Sequence, residues 1–350
     1  MTLRRVLAFL ACCVIPVAAV LGGLQARSAW TSWLTTPGPS VGEWPRTFEV
    51  TPGTGALGVA RLLQREGLCD EPRLFALALE LQGWTGGLHA GEYEVEEPRS
   101  PLELGRLLSS GKVRLYPITI PEGLDLEEMR LLLSEDGRWT EDELTRVFAD
   151  PEPILDLDPK ADDLEGYLFP DTYHLSRGAS AEELRDTMLA RFREVAAELG
   201  LPDALAERGL DLRELVTLAS LVEEETALPQ ERRLVASVFD NRLRRGMKME
   251  CDPTVIVALK RDGRWHGGSI TRSDLRYEGA YNTYVHPGLP PGPLSAPGQA
   301  ALAAALDPAD SKLIFFVATG DGGHRFAETE RQHRRNVRKW REWQRANGQR

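Results

Sequence analysis

The stretch DLRELVTLASLVEEETA, residues 211–227, decides how this chain is read. Wound as a helix at about 100° per residue, it gathers Leu212, Leu215, Leu218, Ala219 and Val222 on one apolar arc, with Val216 and Leu221 at its edges. Glu224 points away from that arc, toward solvent. Glu223 falls between Ala219 and Val216, and Glu225 between Leu221 and Leu218, so both lie inside it. A carboxylate in a packed stripe costs free energy unless it is bonded, paired or neutral. Desolvation raises its pKa from about 4.3 toward neutrality, which is what a general acid working near pH 7 requires. The residues one turn from Glu223, namely Ala219, Ser220, Thr226 and Ala227, are small and leave room for a substrate. The structural alternative stays open at this point: Glu223 and Glu225 pairing with Arg232, Arg233 or Arg242 of the next helix.

Working outward, 350 residues suggest two or three domains. A hydrophobic fraction of 42% with 27% charged residues supports a real core and excludes a disordered chain. The net charge of −11 argues against a nucleic-acid partner, which selects a basic surface. Residues 325–350 run against that balance, with nine Arg/Lys and three Glu, and read as the solvated face of a helix, with contact to anionic lipid or polymer as the alternative. The cysteines at 12, 13, 69 and 251 form no CxxC or Cys/His cluster, so no metal site is expected. Behind Arg4 and Arg5, residues 6–24 carry no charge. As a helix they reach roughly 28 Å, the thickness of a bilayer's hydrocarbon core. That predicts a single-pass transmembrane anchor with the body of the protein on the far side of the cytoplasmic membrane. The competing reading is a signal peptide cleaved at Ala26-Arg27-Ser28.

The spacing predicts an α+β chain in four parts: 1–27 tip and anchor, 28–45 a Pro/Gly/Ser spacer, 46–117 a small first region, and 118–345 the main domain. In the first region RTFEV reads as a strand, and Thr54 caps a helix running through Gln64. A second helix lies in EPRLFALALELQGW, and a second strand in GEYEVE. Ser100-Pro101-Leu102-Glu103 reads as a capping box whose helix ends at Gly111. FEVTPGTGALGVARLL is echoed by ITIPEGLDLEEMRLLL, both strand, turn and helix. Farther on come amphipathic helices and a continuous apolar run, KLIFFVAT, which reads as a buried strand. The loops EGAYNTYVHPGLPPGPLSAPG and ATGDGGHRF are of the kind that carries binding residues.

Seven strings follow one another in order: LEGYLFPDTY at 164–173, ASLVEEET from Ala219, ERRLVASVFDNRL, DPTV at 252–255, AYNTY at 280–284, GLPPGPL and GGHRF. Together they resemble the endolytic murein transglycosylases of the YceG-like or MltG-like group, over about residues 46–345. The sequence departs from the pattern at ECDPTV, where a Gln-Thr pair more often precedes the aspartate, and at LSAPG, where Ile and Asn are common. The resemblance implies a membrane-anchored enzyme facing the cell wall, on the periplasmic side of the inner membrane. It would cleave nascent peptidoglycan strands internally between N-acetylmuramic acid and N-acetylglucosamine, with a LysM-like βααβ module in its N-terminal part. Peptidoglycan glycan strands and peptidoglycan synthases are the implied partners, with no cofactor and no metal.

The resemblance also implies that the first glutamate of a Glu-x-Glu pair, here Glu223, is catalytic. An ordinary glycosidase needs two carboxylates. A lytic transglycosylase lets the muramic acid C6 hydroxyl attack C1, forming a 1,6-anhydro ring. One glutamate can then protonate the leaving oxygen and take up the hydroxyl proton. Glu225 is expected to assist. Tyr281 and Asn282, in a string similar to the Ala-Tyr-Asn of other lytic transglycosylases, and Asp171, Asp252 and His324 are candidate groove residues, each with a turn or capping role as the alternative. Two other classes compete: a non-catalytic peptidoglycan-binding scaffold and a muramidase-type hydrolase. A pyridoxal-phosphate lyase is disfavoured, since none of the six lysines has a Schiff-base context.

Overall fold

The computed structural model describes residues 3–39 and 43–347, with side chains from residue 17 onward. The chain divides into two compact units, residues 1–116 with 176–178, and residues 117–175 with 179–350.

The first unit opens with α1, Leu3–Thr35. Among the described residues no helix is long and apolar enough to cross a membrane. The side chains of residues 6–16, the first part of the expected anchor, lie outside the described ones. The spacer expected over 28–45 begins as helix instead. Leu34 is buried, Trp33 packs against the apolar core of this unit, and the hydroxyls of Thr31 and Thr35 bond back to the carbonyls of Arg27 and Thr31. Apolar anchorage and locally satisfied hydroxyls outweigh the low helix propensity of Ser and Thr.

Next come β1, Arg46–Val50, α2, Ala56–Arg65, α3, Pro72–Leu81, and β2, Gly91–Val95. β1 and β2 pair antiparallel, with Phe48 opposite Tyr93 and their rings stacked at 5.5 Å. This is the βααβ order read from the sequence, with one correction. Thr54 does not cap α2: its hydroxyl bonds to Thr51, and Gly55 is the N-cap. α4, Pro101–Ser109, starts with the expected capping box, Ser100 with Glu103, and Gly111 follows its end in the left-handed region at φ +67°.

The second unit repeats the opening. β3, Tyr116–Thr119, turns through Gly123 into α5, Leu126–Glu135. Arg46 and Tyr116 open the two strands and Ala56 and Leu126 the two helices, a constant offset of 70 residues. Gly53 and Gly123 hold matching φ values of +79° and +82°. α6, Glu141–Phe148, and β4, Thr172–Leu175, complete a second βααβ order, and β4 pairs with β3.

The body of this unit is helical: α7, Ala181–Glu198; α8, Leu201–Arg208; α9, Leu212–Glu225; α10, Pro229–Arg244; α11, Asp252–Arg261; and α12, Gln299–Leu306. α9 is its axis, with Leu212 and every residue from Leu215 to Val222 buried, including Thr217 and Ser220. α12 and α10 pack on it. The hairpin of β5, Phe315–Ala318, and β6, His324–Ala327, leads into α13, Glu330–Ala346. KLIFFVAT therefore does contain a strand, but not the buried one expected. All four residues of β5 are only half-buried, because the sheet has two strands and Phe315 to Ala318 wall a cavity.

Candidate active site

α9 starts at a capping box between Asp211 and Glu214 and delivers its last residue, Glu225, to a cavity of about 710 Å³. α10, α11, β5, β6 and α13 supply the remaining walls. Each oxygen of the Glu225 carboxyl has one near partner. The Cys251 thiol lies 3.7 Å from Oε2, and His324 Nε2 lies 3.9 Å from Oε1. No arginine or lysine is paired with it among the described residues. Burial pushes its pKa up to about 7; the His324 charge and the Cys251 thiol pull down, while Asp252 and Glu224 push up.

His324 is clamped by Glu231. The ring Nδ1 lies 2.8 Å from Glu231 Oε2, and the His324 backbone N–H donates to Oε1 at 3.0 Å. A carboxylate only accepts, so Nδ1 donates to Glu231 and Nε2 is the nitrogen turned toward Glu225. The string GGHRF follows from this. Gly320 and Gly322 hold φ of +94° and +90° in the hairpin turn, and a Cβ on Gly323 would stand 2.9 Å from Glu231 Oε1.

The floor comes from two strings that bind each other. The Tyr284 hydroxyl donates to Asp252 Oδ1 at 2.6 Å, Thr254 and Thr283 hydroxyls meet at 2.8 Å, and the Cys251 N–H donates to Thr283 Oγ1 at 3.2 Å. Cys251 is free and buried, as is Cys69 in the first unit.

Glu223 stands elsewhere. It accepts from the Gly298 N–H, the N-cap of α12, at 3.0 Å and pairs with Arg232 at 3.7 Å. Its side chain is 7% exposed and it does not line the cavity. Burial raises its pKa, with Glu122 adding to the rise and the Gly298 N–H and Arg232 opposing it. This is the arginine pairing that the sequence left open. Glu224 is exposed, as the wheel has it, and sits at the cavity rim.

Of the other expected residues, Asp252 and His324 line the cavity with Glu225, and three do not. Asn282 is fully buried; its amide holds the carbonyls of Asp274, Leu275 and Tyr277, and its oxygen accepts from the Tyr284 N–H. Tyr281 is buried beneath the Arg261 guanidinium, beside Arg213 and Glu165. Asp171 pairs with Arg191 at 2.8 Å. These are turn and packing roles. Cys251, Tyr284 and Glu231 went unnoticed in the sequence, although each lies inside or beside a quoted string.

LEGYLFPDTY also proves to be a packing device. Leu164, Tyr167, Leu168, Phe169 and Tyr173 are core, and the Tyr167 hydroxyl donates to Asp158 at 2.6 Å. Gly166 has φ +81°, and a Cβ there would meet Pro293 at 2.6 Å and Val216 at 2.8 Å.

This mixed α+β chain, with a cavity at the end of its central helix and its strings in this order, belongs to the YceG-like family, whose model matches residues 48–339. Its relatives include an endolytic murein transglycosylase of Bacillus subtilis (strain 168), 26% identical over 309 residues and covering 84% of each chain. The endolytic murein transglycosylase of Streptococcus pneumoniae (strain ATCC BAA-255 / R6) is 29% identical over 322 residues, which are 83% of this chain and 57% of that longer protein. A crystal structure of a yceG-like protein from Listeria monocytogenes is similar in fold, with a TM-score of 0.56 and 27% identity over 84% of this chain and 99% of that one.

Proposed function

We propose that this protein is an endolytic murein transglycosylase with Glu225 as its single acid and base. The observation that carries the reading is the placement of Glu225: a carboxyl with a pKa of about 7, in a cavity, unpaired by any cation of fixed charge among the described residues. At neutral pH such a group is divided between its two protonation states, so it can give a proton and take one back. Glu225 protonates the glycosidic oxygen, and the N-acetylglucosamine leaves with a free C4 hydroxyl. The muramic acid C6 hydroxyl attacks C1, and its proton passes to the Glu225 carboxylate, which restores the acid. Glu223, the residue expected to do this from the resemblance, is bound to a helix N-terminus and an arginine; that role suits a structural carboxylate.

Around this centre, the apolar stretch of residues 6–24 serves as a membrane anchor, and the β1–β2 unit as a LysM-like glycan-binding module. The enzyme then acts at the outer face of the inner membrane on strands leaving the peptidoglycan synthases. The anchor is supported by its length and lack of charge, and the module by its βααβ order.

One observation favours a second reading, a muramidase-type hydrolase. Asp252 lines the same cavity and would be the second carboxylate that hydrolysis needs. Incubating the full chain with purified peptidoglycan and weighing the products separates the two. Anhydro ends, lighter by one water, support the transglycosylase. Reducing ends support the hydrolase, and no products a binding scaffold.

A further inference from the structure

α13 does two things at once. Its inner side, with His333, Val337 and Trp340, walls the cavity, and Trp343 sits against Gly320 of the hairpin turn. His333 stacks on Phe315 at 4.9 Å, and its Nδ1 is buried with no hydrogen-bond partner. Its outer side carries Arg331, Arg335, Arg338, Lys339, Arg341 and Arg345, all exposed, none with an ion pair among the described residues. At about 100° per residue these six fall on one arc of the helix, which also holds Arg334, Glu342 and Ala346. Arg334, on the edge between the two sides, lines the cavity and pairs with Glu330.

Six unpaired cations on one arc of a chain with net charge −11 form a local field opposite to that of the whole molecule. They repel one another, which costs stability, and Glu342 is the one carboxylate within their arc. An anionic lipid surface would suit the charge alone, but a helix lying on a bilayer also needs an apolar face turned to it. Here Trp340, Trp343 and Val337 are turned inward and half-buried. The arc instead runs on from the cavity wall through Arg334, which lines the cavity with Glu225.

We propose that the outer face of α13 is a subsite for the acidic peptides carried by the glycan strand. The proposal rests on the reading of the substrate as murein, whose muramic acid residues carry peptides with free carboxylates. The cations bind those carboxylates while the sugars occupy the cavity, so the enzyme prefers strands that still bear peptides.

The test compares the full chain with an R335E/R338E/K339E variant, none of whose altered residues lines the cavity. Two substrates are used: uncrosslinked strands bearing peptides, and the same strands stripped of them by an amidase. Binding is measured by co-sedimentation, and cleavage by counting new ends. The wild type should bind peptide-bearing strands about tenfold more tightly at low salt, with the preference shrinking as salt rises. The variant should lose the preference and keep its turnover on stripped strands. Equal binding of both strands by the wild type, or a variant that keeps the preference, overturns the proposal. So does a wild type without peptide preference that exceeds the variant only on phosphatidylglycerol vesicles. If stripped strands are cleaved to anhydro ends without any preference, this inference fails while the proposed reaction stands. If neither strand is cleaved, the reaction fails, and the binding comparison still decides the subsite.

Discussion

At the scale of single residues, the account turns on which of two half-buried glutamates is free to exchange a proton. Glu225 has a pKa raised to about 7, against about 4.5 when exposed, so the folded protein binds more protons than the unfolded chain between these values. Stability is then fully present below the unfolded value and is lost as pH rises through about 7. Glu225→Gln removes that loss. Its melting temperature should match the wild type near pH 4.5 and exceed it at pH 8, by up to about 3 kcal/mol in stability. A variant no more stable than wild type at pH 8 would place the carboxyl in a wetter setting. The groups facing Glu225 are His324, Cys251, Asp252 and Glu224, and the first of these lowers its pKa by charge. His324→Gln should raise the Glu225 pKa and move the alkaline limb of the pH–rate profile to higher pH. A limb that stays in place, with only protein yield reduced, would mean His324 merely packs. The helical wheel placed both Glu223 and Glu225 in the packed stripe, and both are indeed hemmed in. What separates them is invisible there, because the Gly298 N–H and Arg232 reach Glu223 from segments 75 and nine residues away, whereas Glu225 meets a thiol and an imidazole.

At the scale of elements, local chemistry wrote most of the fold plainly. The capping box at Ser100, the left-handed Gly111 and the 70-residue echo are all found where pattern and turn chemistry put them. Failures came where distant packing decides: the helix continuing past residue 28, and KLIFFVAT forming a half-buried cavity wall rather than a core strand. The strings that suggested a glycan groove are often packing devices, and glycine shows this best. Gly166→Ala forces a Cβ into Pro293 and Val216 at φ +81°, so it should cost roughly 2–5 kcal/mol by denaturant unfolding. Gly323→Ala crowds the flexible end of the Glu231 side chain at 2.9 Å and meets Leu228 and Thr319 at ordinary contact distance. It should leave stability within about 1 kcal/mol of wild type, yet shift the pH–rate profile as His324→Gln does, by loosening the clamp on the imidazole. A Gly323→Ala profile identical to wild type would show that Glu231 does not hold His324 in the working enzyme.

At the scale of the whole molecule, the described residues form two units, with a long N-terminal helix in the first and the cavity at the end of α9 in the second. If residues 6–24 anchor the chain, the full-length protein stays with the membrane fraction after washing with alkaline carbonate and begins at Met1 or Thr2. A mature chain beginning at Ala29 would mean that the segment is a cleaved signal. The cavity itself poses the sharper question, whether chemistry belongs to the end of α9 or one turn earlier. Its most direct test is turnover of peptidoglycan to anhydro ends by full-length Glu225→Gln and Glu223→Gln, each checked for wild-type folding. The amide of Glu225→Gln cannot supply the proton, so its rate should fall by about 10²–10⁴-fold or more, with glycan binding retained. Glu223→Gln should keep its fold and most of its activity, since the amide oxygen can still accept from the Gly298 N–H. An active Glu225→Gln enzyme, or a folded Glu223→Gln enzyme that is equally dead, would contradict the account.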